Sequence, residues 1–366
     1  MPDFSAAIAL LKKPLDDVYS FTKDEVKAKL AIVRTAAKMK QLHKKLYETQ
    51  RVKTIWHIDR PSSLSSFFHP VSIVTHNLSV IGPFRLNSLE VFEGNHNIIF
   101  GTVGQGKSIL LRYLLGREIK SGVRIPVFLE LRNLGDKKIA DALTEKFSSV
   151  LGIASDYDVF SSFADRGKVS FLLDGFDEVD PFNVARTLTE IEELSYKYQD
   201  CKIVLTSRPD SECRHLTSFY SNKIQPLDID SLQAFYKKIT RDPEFSARLH
   251  AAIKTSPTKI RELVTTPLLA TLLAISYRNV QKIPLDFAEF YDDLFQILLV
   301  RHDVSKLGWR RSRKSKLDDR QVQQVFEAFC FATRRKNLLL SIKSRLIISL
   351  QKAFRRLALM LSHNIF

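Results

Sequence analysis

Apolar residues in the first fifty positions recur at helical spacing. Ile8, Leu11, Leu15 and Val18 fall on one stripe, and Val26, Leu30 and Val33 on another, with lysines on the remaining faces. The run Thr22-Lys23-Asp24-Glu25 has the form of a capping box and predicts a second helix continuing through Leu46. Serines at 62, 63, 65 and 66, followed by Pro70, read as a linker. From Phe84 the pattern changes to short apolar runs alternating with amphipathic stretches. Strands are predicted near 98–100, 125–131, 169–173, 202–205 and 223–224, with helices near 107–117, 138–151 and 183–197. This alternation predicts an α/β fold, a parallel sheet flanked by crossover helices. After Asp228 the strands stop, and segments near 229–240, 257–279, 284–303 and 318–335 read as helices. The expected organisation is a helical N-terminal region (1–80), an α/β domain (81–228), a small helical domain (229–305) and a basic helical segment (306–366).

Three sheet-edge turns carry the chemistry. Gly101-Thr102-Val103-Gly104-Gln105-Gly106-Lys107-Ser108 fits the phosphate-binding P-loop, lying between a buried strand and a helix. Its glycines let several backbone N–H groups converge on one anion. Lys107 is placed to reach the β- and γ-phosphates and the Ser108 hydroxyl to ligate Mg²⁺. Next, the apolar run 169–173 delivers Asp174 to the carboxyl edge of the sheet, where a carboxylate can hold Mg²⁺. Asp177 and Glu178 follow, and either can polarise an attacking water. Third, Lys202-Ile203-Val204-Leu205-Thr206-Ser207-Arg208-Pro209 is a buried strand ending at the same edge, with Arg208 placed to sense a γ-phosphate.

In this order and spacing, the three motifs resemble the NACHT family of signal-transducing P-loop ATPases. The resemblance spans roughly residues 84–340 and extends to Thr265-Thr266-Pro267-Leu268-Leu269, similar to the family's short helical motif with a proline near the nucleotide. It implies an ATP/ADP switch with Mg²⁺, slow hydrolysis, Pro267 touching base or sugar, and nucleotide-dependent self-association triggered by an unknown signal. Similarity to bacterial NACHT proteins further implies a role in defence against phage. Residues 289–299 look like the family's helix leading into a winged helix. No phosphate-facing histidine motif follows Phe331, and His302 and His363 are poorly positioned, so a short or truncated member is expected. The first 80 residues match no signature and read either as a signalling module or as an amphipathic pair packed on the ATPase.

Composition changes this picture in two ways. Cys201, Cys213 and Cys330 are scattered and odd in number, no basic leader precedes an apolar run, and no apolar run is long enough for a membrane span. A cytoplasmic protein without a structural metal is expected. Of the net charge of +16, residues 301–366 contribute 12, from 16 Lys+Arg against 4 Asp+Glu. The densest run, 309–316, reads as a solvated basic loop or as a patch for nucleic acid or an acidic partner. The alternative to a switch is therefore a nucleotide-stabilised interaction module working through that run.

Overall fold

A computed structural model describes residues 4–33, 35–57, 61–75 and 83–294, together with 320–321, 323–325 and 327–328. In chain order the elements are α1 (Phe4–Tyr19), α2 (Asp24–Val33), α3 (Ala36–Glu48), β1 (Arg51–Val52), β2 (Ser62–Ser63), α4 (Leu64–Phe67), β3 (Ser72–Thr75), β4 (Phe84–Arg85) and β5 (His96–Phe100). Then come α5 (Lys107–Ser121), β6 (Ile125–Glu130), α6 (Ile139–Leu151), α7 (Tyr157–Ala164), β7 (Val169–Asp174), α8 (Val184–Lys197), β8 (Lys202–Ser207) and β9 (Tyr220–Ile224). Four helices follow: α9 (Ile229–Thr240), α10 (Pro243–Lys254), α11 (Thr258–Leu263) and α12 (Pro267–Val280). These all fall in one unit, residues 1–286; the described residues from Phe287 onward belong to a second.

The seven-stranded sheet has the order β4-β3-β9-β5-β8-β7-β6. Strands β5 to β9 run parallel, while β3 is antiparallel to both β4 and β9. Every residue of β5, β7 and β8 is buried, as expected for strands covered on both faces by crossover helices. Pro126 is tolerated because β6 is an edge strand and can leave one ladder donor missing. A cluster of rings (Phe147, Phe160, Phe163, Phe171, Tyr198) fills the space between α6, α7 and the sheet, with centroids 5.2–6.0 Å apart. Each such pair is worth about 0.5–1.5 kcal/mol beyond the area it buries.

The N-terminal helices pack on the same core: α1 lies against α3 and α5, α2 against α7, and α3 against α6. Their apolar stripes, Leu11, Leu15, Val18, Leu30 and Val33, are fully buried. Lys38 Nζ donates to Gly152 O at 3.2 Å, and Lys45 reaches Ser149 O, so α3 supplies positive charge to the C-terminal carbonyls of α6.

Three expected elements differ. The second helix is broken into α2 and α3 around Thr35, whose backbone is extended and whose hydroxyl donates to Ile32 O at 2.9 Å. Nor does Thr22 cap α2. Its hydroxyl donates back to Tyr19 O at 3.4 Å, and Lys27 N takes Lys23 O instead. The expected linker is β2 and α4, with Leu64 and Phe67 buried, because its apolar residues had a core to enter. The helix expected over 257–279 is two, since Pro267 cannot carry the N–H needed to continue α11 and instead opens α12 behind a Thr266 cap. Strands β3 and β4 and helices α7 and α10 were not anticipated; the strands are too short to show a period. The segments expected at 295–303, 309–316 and 341–361, with His302, Cys330 and His363, lie outside the described residues.

Candidate functional site

The adjacency of β5, β8 and β7 brings the three motif turns to one edge of the sheet. In register, Phe100 faces Ser207 and Glu130 faces Asp174. Past β5, Gly101 N donates to Ser207 O at 3.1 Å before the chain turns through Gly104 (φ 80°) and Gly106 (φ 83°) into α5. A side chain at either position would be strained. At Gly104 the space is also taken: a Cβ there would lie 2.7 Å from Leu268 Cβ. The first turn of α12 rests on the loop at that point, with Leu268 N donating to Gly104 O at 3.1 Å. Gln105 braces the loop from inside, accepting from Thr102 N at 2.7 Å and donating to Ile224 O at 3.4 Å.

Lys107 Nζ donates to Gly101 O at 2.7 Å and to Thr102 O at 3.4 Å. Burial pushes its ammonium below the ordinary lysine value, and Asp177 opposes that shift. Asp174 is 6% exposed, and its Oδ1 accepts from Thr206 Oγ1 at 2.7 Å. That hydroxyl in turn accepts from Gly175 N at 2.9 Å, so Thr206 fixes both the carboxylate and the turn behind it. Asp177 Oδ2 pairs with Arg208 Nε at 2.7 Å, while its Oδ1 is buried without a hydrogen-bond partner. Glu178, more exposed, pairs through Oε2 with Arg132 Nη1 at 3.0 Å.

A cavity of about 430 Å³ opens between these turns, within the usual range for a small-molecule site. Thr102, Val103, Gly104, Gln105, Gly106, Lys107, Ser108, Asp174, Asp177, Glu178, Arg208 and Pro267 all line it. Gly101 does not; it acts from behind as the acceptor for Lys107. The rest of the lining was not foreseen. Residues 53–57 and 67–69, with Val71, form a second wall, joined by Phe235 and Ile239 of α9. Trp56 reaches from these residues to α10 and α12, its ring 6.3 Å from Phe245 of α10 and 5.5 Å from the Arg278 guanidinium of α12. Phe68 stacks on Tyr113 of α5 at 4.1 Å. Burial, helped by Arg85, holds His69 below the ordinary histidine value. The cavity lining thus combines charged and polar groups with aromatic side chains.

A family model described as the NACHT domain matches residues 96–243, from the start of β5 to the first residue of α10. The chain thus carries a NACHT domain, a P-loop NTPase module, over that stretch. No curated protein sequence matches the chain. Among solved structures, it is similar to the Walker-type ATPase paby2304 of Pyrococcus abyssi at 14% identity, covering 71% of this chain and 83% of that one, with a TM-score of 0.35. It is also similar to domain III of the Thermotoga maritima replication initiation protein DnaA (15% identity, 57% and 84% covered, TM-score 0.29). A third is the Aeropyrum pernix Orc1 protein in complex with DNA (13%, 74% and 79%, TM-score 0.37). Among the described residues no helix is long and apolar enough to cross a membrane, and no group of three or more His, Cys, Asp or Glu could hold a metal on its own.

Proposed function

We propose that this chain is an ATP-binding switch of NACHT type that hydrolyses its nucleotide slowly. One observation carries the reading: a single cavity is lined by the P-loop, three carboxylates and Arg208 together with aromatic side chains. A nucleoside triphosphate offers groups for both, phosphates at one end and a flat base at the other. In this reading the loop N–H groups and Lys107 hold the phosphates, and Trp56, Phe68 and Pro267 bound the space for base and sugar. Mg²⁺ fits the donor set: the Ser108 hydroxyl and the Asp174 carboxylate both face the cavity, and Asp177 Oδ1 is a buried acceptor still lacking a donor. When bound, the ion neutralises charge on the phosphate oxygens.

Glu178 or Asp177 draws the proton from the attacking water, and Arg208 senses the γ-phosphate. For Arg208 to do so it must leave Asp177, which gives ATP and ADP different interactions with the same loop. A ligand shifts a conformational equilibrium only by its differential affinity, and reversing a 1:99 balance takes roughly 10⁴-fold. α12 is the element placed to respond, since its first turn sits on Gly104. On the same resemblance, the setting is bacterial defence against phage, with the triphosphate form self-associating.

Calorimetry with ADP and a non-hydrolysable ATP analogue, on wild type and Lys107→Ala, tests the site. Equal affinity in the variant overturns it. Mass measurement in solution under the two nucleotides tests switching, and an unchanged mass removes self-association. Plaque counts on cells expressing wild type or Lys107→Ala test the defence role.

A further inference from the structure

The two acids beside the cavity are each tied to an arginine, from different strands. Arg208, which holds Asp177, lines the cavity; Arg132, which holds Glu178, does not. Arg132 stands just past β6, the strand paired with β7. Its second nitrogen, Nη2, lies 3.2 Å from Glu130 Oε1. That same oxygen is 3.0 Å from Arg112 Nη2 on α5. Arg112 Nη1 donates to Thr49 O at 3.1 Å, at the C-terminal cap of α3, and its guanidinium lies 4.3 Å over the Phe128 ring. A continuous line of one backbone hydrogen bond and three ion pairs therefore runs from the end of an N-terminal helix to Glu178.

We infer that Arg132 is a positioning residue that restrains Glu178 from polarising water, and that Glu130, shared with Arg112, sets how firmly it does so. The inference rests on the ATPase reading above. A carboxylate oxygen committed to a guanidinium has less to offer a water proton. The pair is about half exposed on both sides, so it is weak and easily released, as a control contact must be. Glu130 and Glu178 hold different nitrogens of the same guanidinium, so Glu130 braces Arg132 in the position from which it reaches Glu178. Anything that shifts Glu130 through Arg112, such as movement of the α3 end, loosens that brace and with it the hold on Glu178. The N-terminal helices would then act on hydrolysis without touching the nucleotide.

The test is steady-state ATP hydrolysis by the full chain carrying Arg132→Met, Arg132→Lys, Glu130→Gln, or Glu130→Gln with Arg132→Met. Removing Arg132 should raise kcat roughly two- to fivefold, the size expected of an exposed pair, with KM unchanged. Arg132→Lys, which keeps the charge, should stay near wild type. Glu130→Gln weakens the brace and should raise kcat, by less than Arg132→Met does. In the Arg132→Met background the same substitution should do nothing further. A fall in kcat on removing Arg132, or an equal effect of Glu130→Gln in both backgrounds, overturns the restraint alone. Wild type that binds nucleotide yet turns over no faster than Glu178→Gln overturns the ATPase reading, and the restraint with it. Glu130→Gln is isosteric and so remains informative should Arg132→Met fold poorly.

Discussion

The two walls of the cavity are built on opposite principles. The phosphate wall is backbone: a five-residue strand, a turn with two left-handed glycines, and a helix start, all within residues 96–108. Its chemistry is local, because consecutive N–H groups and one lysine suffice. The apolar wall is side chain. Residues 53–57, 67–69 and 71 reach the cavity only because α4 packs beside α5 and α9, and because β1 and β2 fold the intervening chain back. The first wall can recognise a charge on any polyphosphate. The aromatic side chains of the second can only reward shape, and so should act alike on ATP and ADP. Under the proposed ATP reading, this division of labour would put switching at the phosphate loop and general affinity at the aromatic side chains.

The largest effect should come from the acids. Glu178→Gln is expected to slow turnover by roughly 10²-fold or more, the usual contribution of a positioned base, while binding is kept. Single-turnover hydrolysis checks it, and unchanged rates in Glu178→Gln, Asp177→Asn and the double variant would remove both acids from the chemistry. Lys107→Ala should weaken ATP by roughly 100-fold, and ADP by less, since hydrogen bonds to charged groups are worth about 1.5–3 kcal/mol each. Calorimetry against both nucleotides reads the difference. Gly104→Ala should cost about tenfold in affinity and lower the melting temperature, through a positive φ worth roughly 1–2 kcal/mol and the 2.7 Å approach to Leu268. Gly106→Ala carries the same strain, but nothing lies within 4 Å, so the gap between the two variants isolates the contact with α12. Smallest of all, Trp56→Ala should weaken ATP and ADP equally, by roughly three- to tenfold, as expected for a lost aromatic contact. Unequal losses would place part of the switch on the apolar wall and undo the contrast.

Much of the sheet was legible because its strands are buried on both faces and read as largely apolar runs, as at Phe171 to Leu173 and Ile203 to Leu205. The P-loop was legible because its geometry demands glycine at fixed offsets. The capping box at Thr22 failed for a physical reason: a hydroxyl has several nearby carbonyls to choose from, and the helix before it won. The serines at 62–66 looked like a linker because short polar residues mark turns, yet Leu64, Phe67 and Phe68 among them are buried. Thr206 sat in plain view within its motif. Its hold on Asp174, 32 positions away, depends on β7 and β8 being neighbours.

Local order along the chain determined where the glycine-rich loop with Lys107, the acids after β7 and Arg208 after β8 stand, since those motifs are particular groups at short, fixed spacings. It also determined the strand-helix alternation that puts such turns at one sheet edge. Tertiary structure alone decided what packs around them: the lining from residues 53–57, 67–69 and 71, the contact of Leu268 on Gly104, and the arginine that reaches Glu178 from 46 positions away. Those pairings depend on which surfaces pack together, and a contact between distant segments leaves no period or spacing in the sequence that could announce it.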